Sequence, residues 1–380
     1  MNPHIELNSN KSGSDILAFT LSGVNVSVAN AIRRTALSDI PLIVFRTAPY
    51  ENNKANIITN TTRLNNEILK QRLSCIPIYI KDLDDFPYKN YVVEVNVENI
   101  TDTTMYVTTE NFVIRDVVTG QLLSESKTRE IFPPDDYTGD FIDFVRLRPK
   151  VFEDLPNSKI QGEKIHLTCE LDIGNAKEDG MFNAVSTCSY GFTIDETARD
   201  NVLQKKKQTW KDEGKSEKEI DFEAKNWLLL DGMRIYKKDS FDFIIQTSSV
   251  YTNYEIVDKS CDILITKLDE LDNLLEKDEL QINTSQNTMA NCFDVILENE
   301  DYTIGKVIEY FLYSKFYETK ILTFCGFKKM HPHDNESIIR VAYSEAVEKT
   351  TVKGHLKECI EDAKLIYNKI RKGLLQLVKN

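Results

Sequence analysis

The sequence predicts an α+β protein built as a pseudo-symmetric pair: two related strand/helix halves with long C-terminal helices, plus a β-rich inserted domain. Three observations carry this. A strand-turn-helix motif occurs twice, at residues 21–36 (LSGVNVSVANAIRRTA) and residues 297–312 (LENEDYTIGKVIEYFL). Each half ends in a stretch with a single apolar stripe at helical spacing, and the first half is interrupted by segments that alternate with period two, as half-buried strands do.

The two motif copies align without a gap, so that Thr303, Ile304, Val307 and Ile308 fall opposite Ser27, Val28, Ala31 and Ile32. Each copy reads as an apolar strand end, a polar turn, and a Ser or Thr able to cap a helix by accepting a backbone N–H; branched apolar residues then recur at helical spacing. Two diverged copies imply pairing of the chain with itself. A strand-turn-helix without duplication reads the same way, so the repeat alone leaves both origins open.

In chain order, a strand over 16–21, a helix over 27–38 and a strand over 42–47 make the first unit, to residue 52. Residues 53–188 change character. Tyr91, Val93, Val95 and Val97, and later Ile165, Leu167, Cys169, Leu171 and Ile173, alternate with mostly polar residues, while Thr119-Gly120 and Asp179-Gly180 mark turns. This is the β-rich inserted domain. The first half resumes at 189–275, carrying a charged insertion at 195–238 that includes Lys205-Lys206-Lys207-Gln208-Thr209-Trp210. Mixed charge without Gly-Pro clusters reads as solvated helix. Because acidic residues offset the basic ones, a surface insertion is favoured over an arm for nucleic acid.

Phe241, Phe243, Ile245 and Thr247 form a further strand, and a helix begins near Asn253. Its Val257, Cys261, Leu264, Leu268, Leu271 and Leu275 are alternately four and three residues apart, an unbroken seam at coiled-coil period. Val352, Leu356, Cys359, Ala363, Ile366, Ile370, Leu374 and Leu377 form a comparable stripe in the last helix. The stripes can bury against each other, across two halves or as core helices of one domain. Residues 276–291 (EKDELQINTSQNTMAN) are polar and aperiodic, and read as a flexible linker. Its reach is roughly 20 Å, enough to hold neighbouring halves at an effective concentration of about millimolar. The second half is residues 292–380.

Composition narrows the function. With a net charge of -13, a broad phosphate-binding surface is not expected. No apolar run approaches the ~20 residues that span a bilayer, and Met1-Asn-Pro-His-Ile-Glu lacks the parts of a signal peptide, so the chain is expected to stay where it is made. Seven cysteines stand singly, with no C-x-C or C-x-x-C pair. A reducing compartment follows, with no disulfide framework, zinc loop or iron–sulfur cluster. No phosphate-cradling, nucleophile-elbow or H-E-x-x-H motif is present, and neither a cofactor nor a catalytic site is expected. His331-Pro332-His333 is the one metal-like pair, though two histidines about a proline more often shape a turn. Asp84-Asp85 and Asp135-Asp136 read as solvated loop acids, with Asp135-Asp136 also open to a partner contact.

After the first motif comes Asp39-Ile40-Pro41-Leu42-Ile43-Val44-Phe45, then NTTRLNNEILKQRLSCIPI over residues 60–78. This resembles the assembly subunit of cellular RNA polymerases: bacterial alpha, its archaeal counterpart D and the third-largest subunit of eukaryotic polymerase II, with patterns NALRR, (I/V)P and N-T-x-x-L-x-D-E-x-x-x-H-R-L-x-x-I-P-L. After the second copy, LTFCGFKKMHPH at 322–333 and Ile338-Ile339-Arg340-Val341 resemble the small partner subunit, archaeal L or the eleventh-largest of polymerase II. Here Asn66, Gln71 and Ser74 replace the family's Asp, His and Gly. Tyr302, Lys306 and Glu309 replace His, Asn and Arg of the small-subunit motif, so the Arg pair survives only in the first copy.

The resemblance implies an alpha-subunit-like pseudo-heterodimer with both partners fused in order, similar to what large cytoplasmic DNA viruses encode. It implies a non-catalytic scaffold for the two largest polymerase subunits, with other small subunits as further partners. The localisation implied is a viral factory and virion if the source is viral, and otherwise a reducing intracellular compartment. The large subunits' footprint is expected on residues 24–47 and 60–78, with Asn30, Arg33, Arg34, Pro41, Glu67 and Arg72 as interface residues. On the residues alone, Arg33 and Arg34 would flank the buried face of their helix, as generic surface arginines or as anchors for a partner's carboxylate or carbonyl. Internal pairing falls to Val257, Cys261, Leu264, Leu268 and Leu271 against Leu356, Ala363 and Ile370. The alternatives are a metal-dependent enzyme using His331 and His333, and a structural adaptor unrelated to transcription.

Overall fold

The computed structural model describes residues 1–8, 15–83, 86–149, 151–152, 159–160, 162–285 and 289–379. In chain order, β1 (His4–Leu7) and β2 (Leu17–Ser22) lead into α1 (Val26–Ser38). There follow β3 (Leu42–Val44), β4 (Ala55–Asn60), α2 (Asn66–Ser74), β5 (Tyr91–Glu98), β6 (Met105–Thr108), β7 (Val113–Asp116) and α3 (Glu125–Ile131). Next are β8 (Asp143–Leu147), β9 (Val151–Phe152), β10 (Lys159–Ile160), β11 (Lys164–Glu170) and β12 (Asp172–Gly174). The chain continues through β13 (Val185–Ile194), α4 (Glu196–Asp212), α5 (Glu217–Leu229), β14 (Tyr236–Thr247) and α6 (Asn253–Glu276). It closes with β15 (Ile282–Thr284), β16 (Cys292–Glu298), α7 (Tyr302–Leu312), β17 (Leu322–Lys328), β18 (Glu336–Tyr343) and α8 (Lys349–Lys379). These elements form two compact units. One comprises Met1–Ala36, Thr187–Gln246 and Asn253–Asn380, the other Leu37–Ser186 and Thr247–Thr252.

The first unit holds two four-stranded sheets, ordered β1-β2-β14-β13 and β15-β16-β18-β17. The orders match role by role: β2 and β16 precede the motif helices, β14 and β18 precede the long helices, and β1 and β15 edge the sheets. The turns match as well. Gly23 and Asn299, opposite each other in the gapless alignment, both take left-handed backbone, with φ of +74° and +57°. Glycine and asparagine are the residues that tolerate this. Gly23 N–H donates to Asp239 O at 2.8 Å and Asn299 N–H to Asn335 O at 2.6 Å, so each turn is tied to the strand leading to its own long helix.

The helix caps differ from the sequence expectation. Asn25 Oδ1 accepts Ser27 N–H at 2.9 Å, and Asp301 Oδ1 accepts Thr303 N–H at 2.8 Å. Asn and Asp side chains reach the N–H two residues on, so they take the caps and leave Ser27 and Thr303 inside the first turn. Across β2 and β14, Phe19 and Phe243 are register partners whose rings stack at 5.1 Å.

Val257, Cys261, Leu264, Leu268, Leu271 and Leu275 are all buried on α6, as are Val352, Leu356, Cys359, Ala363, Ile366, Ile370 and Leu374 on α8; Leu377 is half-buried. Polar flanks tie the helices antiparallel. Arg371 reaches Asp258 at 2.8 Å and Asp262 at 2.5 Å, Lys364 reaches Asp269 at 3.0 Å and Asp272 at 3.1 Å, and Lys357 reaches Glu276 at 2.6 Å. Lys353 continues the ladder to Asp278. Solvent screens the outer members of this ladder, so it adds little by charge alone. A fully buried Leu contributes about 1.5–3 kcal/mol, so the seam supplies most of the stabilisation and the ladder fixes its register.

Part of the expected linker is structured. Ile282 on β15 pairs with Val295 on β16, and Leu280 and Ile282 are buried. Two apolar residues are too few to show a period among polar neighbours. In the charged insertion, α4 and α5 enclose a small core of Leu203, Ala224 and Trp227, with Lys206 over the Trp227 ring at 5.9 Å.

The second unit contains the sheet β4-β11-β5-β7, the pairs β6-β8 and β12-β3, and the short pair β10-β9. Its core includes Phe112, whose ring meets those of Phe132 at 5.4 Å and Phe144 at 5.7 Å edge to face. The unit starts at Leu37 instead of residue 53, because Ile43 and Phe45 enter this core and β3 pairs with β12. Among the described residues no helix is long and apolar enough to cross a membrane.

Candidate partner interface

Helix α1 buries Val28, Ala29, Ala31, Ile32, Thr35 and Ala36, which leaves the arginine pair half-exposed beside the apolar face. The two arginines part company. Arg33 Nε donates to Asn30 Oδ1 at 2.9 Å, one turn back on the same helix. Arg34 Nη2 reaches Asp301 Oδ2 at 2.7 Å and its Nε donates to Thr303 Oγ1 at 2.8 Å. Arg34 therefore bridges the two motif copies, holding the capping acid of α7. The expected partner anchor is, at this position, engaged inside the chain.

Asp301 is shaped by opposing effects. Burial works to raise its pKa, but the hydrogen bonds from Thr303 and the charge of Arg34 outweigh it and hold the carboxyl below the usual range. It stays ionised at neutral pH as cap and ion-pair partner together.

The remaining expected interface residues lie in the second unit. The carbonyl of half-buried Pro41 accepts from the Tyr251 hydroxyl at 3.2 Å. Glu67 is exposed in the first turn of α2, whose cap is Asn65 Oδ1 accepting Ile68 N–H at 2.9 Å. Arg72 ends the same helix; its Nε donates to Phe144 O at 2.7 Å and its Nη2 to Asp143 O at 2.8 Å, pinning α2 to β8. Arg72, like Arg34, thus has work inside the fold.

Sequence reasoning does not single out Asp301 and Thr303 as receptors for an arginine. The available signal is an acid at the cap of the copy that lacks the Arg pair, opposite neutral Asn25 in the copy that has it. His331 and His333 are exposed with ring centroids 5.2 Å apart, and His331 Nδ1 accepts the His333 N–H at 3.2 Å, as in a turn. No group of three or more His, Cys, Asp or Glu is gathered for a metal among the described residues. Asp135 accepts N–H bonds from Thr138 at 2.8 Å and Tyr137 at 3.0 Å, which lower its pKa and mark it as a turn former. Asp84-Asp85 lies outside the described residues. The seven cysteines form no disulfide, and burial pushes the thiols of Cys169 and Cys188 up to about 12, which leaves them unreactive.

Sheets backed by paired long helices define the class: a mixed α/β protein whose conspicuous contacts are helix pairing and matched turns. The chain belongs to the RNA polymerase Rpb3/Rpb11 dimerisation domain family, whose profile matches residues 18–268. It is 29% identical over 178 residues to the DNA-directed RNA polymerases I and III subunit rpac1 of Dictyostelium discoideum, covering 46% of this chain and 48% of that relative. It is also similar to DNA-directed RNA polymerase subunit Rpo3 of Pyrococcus horikoshii, at 25% identity over 70% of this chain and 96% of the relative. The Rpo3 of Methanosphaera stadtmanae matches at 22% identity over 69% and 95%. The chain thus spans about half the length of the first of these relatives and nearly all of the other two.

Proposed function

We propose that this chain is a non-catalytic assembly subunit of a multisubunit DNA-directed RNA polymerase, in which a larger alpha-like partner and its small partner are fused and pair within one chain. Its work is to present a platform for the two largest subunits, with other small subunits completing the assembly. The observation that carries this reading is the agreement of the two four-stranded sheets in strand order, left-handed turn residue and turn hydrogen bond, in a chain of this family. Each half then corresponds to one partner. The Arg34–Asp301 pair and the α6–α8 seam are the internal counterpart of a subunit interface. Arg33, Asn30, Pro41 and Glu67, together with the N–H donors that Arg72 keeps free of its two carbonyl bonds, are left as the proposed contacts for large subunits. On this reading the gene is of the kind carried by large cytoplasmic DNA viruses, and the protein works in their factories and virions.

The test is affinity purification of the tagged chain from its source cells, followed by mass spectrometry. Polymerase large subunits should be the largest co-purifying chains. Their absence, with unrelated structural proteins in their place, would refute the reading in favour of an adaptor outside transcription.

A further inference from the structure

In the second unit, Arg63, Arg72, Arg146 and Arg148 line a cleft of about 580 Å³ together with Leu64 and Val145. Arg148 is neutralised, since its Nε and Nη2 both lie 2.5 Å from Oε1 of the buried Glu163. The other three are not. Arg72 spends two of its five N–H donors on the uncharged carbonyls of Phe144 and Asp143, Arg146 lies over the Tyr106 ring at 5.6 Å, and Arg63 is exposed. Among the described residues every arginine has a carboxylate within ion-pair distance except Arg33, Arg63, Arg72 and Arg146. Three of those four meet in this one cleft, where Asp143 and Glu163 are the only acids among the described lining residues. A chain of net charge -13 has thus left a local concentration of uncompensated guanidinium.

We infer that this cleft is a docking site for an acidic, extended segment of a partner protein. Planar guanidiniums held by carbonyls and by a ring face are pre-organised to take carboxylates in pairs, so little side-chain freedom is lost on binding. Leu64 and Val145 supply an apolar wall for the stems between the charges. Nucleic acid fits less well. The described lining residues offer no exposed aromatic ring on which a base could stack, and the acidic remainder of the chain opposes a long polyphosphate but not a short peptide, whose field is screened within about 8–10 Å. Arg63, Leu64 and Arg72 fall within the 60–78 stretch proposed to face the large polymerase subunits, so the source of the segment, though not its chemistry, rests on that reading.

The experiment titrates the full-length chain into a fluorescent deca-glutamate peptide, a deca-glutamine peptide and a single-stranded oligonucleotide of matching charge. Arg63→Glu/Arg146→Glu serves as the variant, with its melting curve recorded beside the wild type. Deca-glutamate should bind, deca-glutamine should not, and the variant should lose about tenfold or more in affinity at unchanged melting temperature. Equal binding of both peptides, tighter binding of the oligonucleotide, or undiminished binding by the folded variant would each overturn the assignment. Capture of large polymerase subunits by the wild type is read in parallel. Capture without deca-glutamate binding defeats the cleft proposal alone, whereas failed capture with intact deca-glutamate binding defeats the polymerase reading and leaves the cleft standing.

Discussion

Arg34 and Asp301 meet at 2.7 Å, one from each copy of the repeated turn-helix, and the arginine that bridges them has no counterpart in the second copy, where Tyr310 stands in its place. The asymmetry has a physical sense. One arginine against one acid satisfies the helix terminus and ties the halves together.

This relationship alters what the arginine pair should do when truncated. Both side chains of the ion pair are about a third exposed, at 36% and 31%, so its Coulombic part is screened. Arg34→Ala is expected to cost about 1 kcal/mol, and Asp301→Ala about 1–2 kcal/mol because the α7 cap is lost as well. Arg33→Ala should change stability by no more than about 0.5 kcal/mol. Urea unfolding of the three variants and of the Arg34/Asp301 double mutant measures the coupling. Identical behaviour of Arg33→Ala and Arg34→Ala would show that the bridge contributes nothing.

Acid stability should carry the signature of Asp301. Its folded pKa is depressed, so its contribution is fully present above the unfolded value of about 3.9 and is lost as pH falls through the folded value. Asp294, lowered by its hydrogen bond to Arg340, adds to the same limb, so the comparison must be by difference. Asp301→Asn should be less stable than wild type at pH 7, and the two should converge once pH has fallen through the depressed folded value of Asp301. Parallel curves over the whole range would mean that the carboxylate charge is not used.

Leu264 and Leu268 are fully buried in the α6 seam. Leu264→Asp would place an unpaired carboxylate there, at a cost on the order of 3–5 kcal/mol out of a typical total of roughly 5–15 kcal/mol. Insoluble expression or a sharply lowered melting temperature is expected. An unchanged melting curve would put the seam in solvent.

The parts of the fold legible in the sequence are those whose signal is local and repeated. The α6 seam shows because its spacing recurs over six residues, and the duplicated motif shows because Val28, Ala31 and Ile32 keep apolar partners at the same spacing. The caps are misplaced by sequence because Ser27 and Thr303 cap as readily as Asn25 and Asp301 by residue type, and only the turn geometry separates them. Strand β3 falls to the wrong unit because Ile43 and Phe45 are apolar whichever core receives them. The arginine cleft is invisible because Arg63, Arg72, Arg146 and Arg148 are gathered from α2, β8 and their flanking loops, and no short window contains them.

The pairing of the two halves is tested most directly by cutting the chain. The contacts between them include the α6–α8 seam, its flanking ion pairs and the Arg34–Asp301 bridge, none of which needs a continuous backbone. Because β15 pairs with β16, the cut belongs before it, giving fragments 1–280 and 281–380. Each fragment alone exposes one apolar helix face, the stripe of α6 or that of α8, and should aggregate or remain partly unfolded. Co-expressed, they should associate and co-purify with equal stoichiometry. Severing the connection removes its effective concentration of about millimolar, so the complex should show a concentration-dependent melting temperature that the intact chain lacks. Two folded, monomeric fragments that ignore each other would refute the internal pairing, whatever the resemblance of the two sheets.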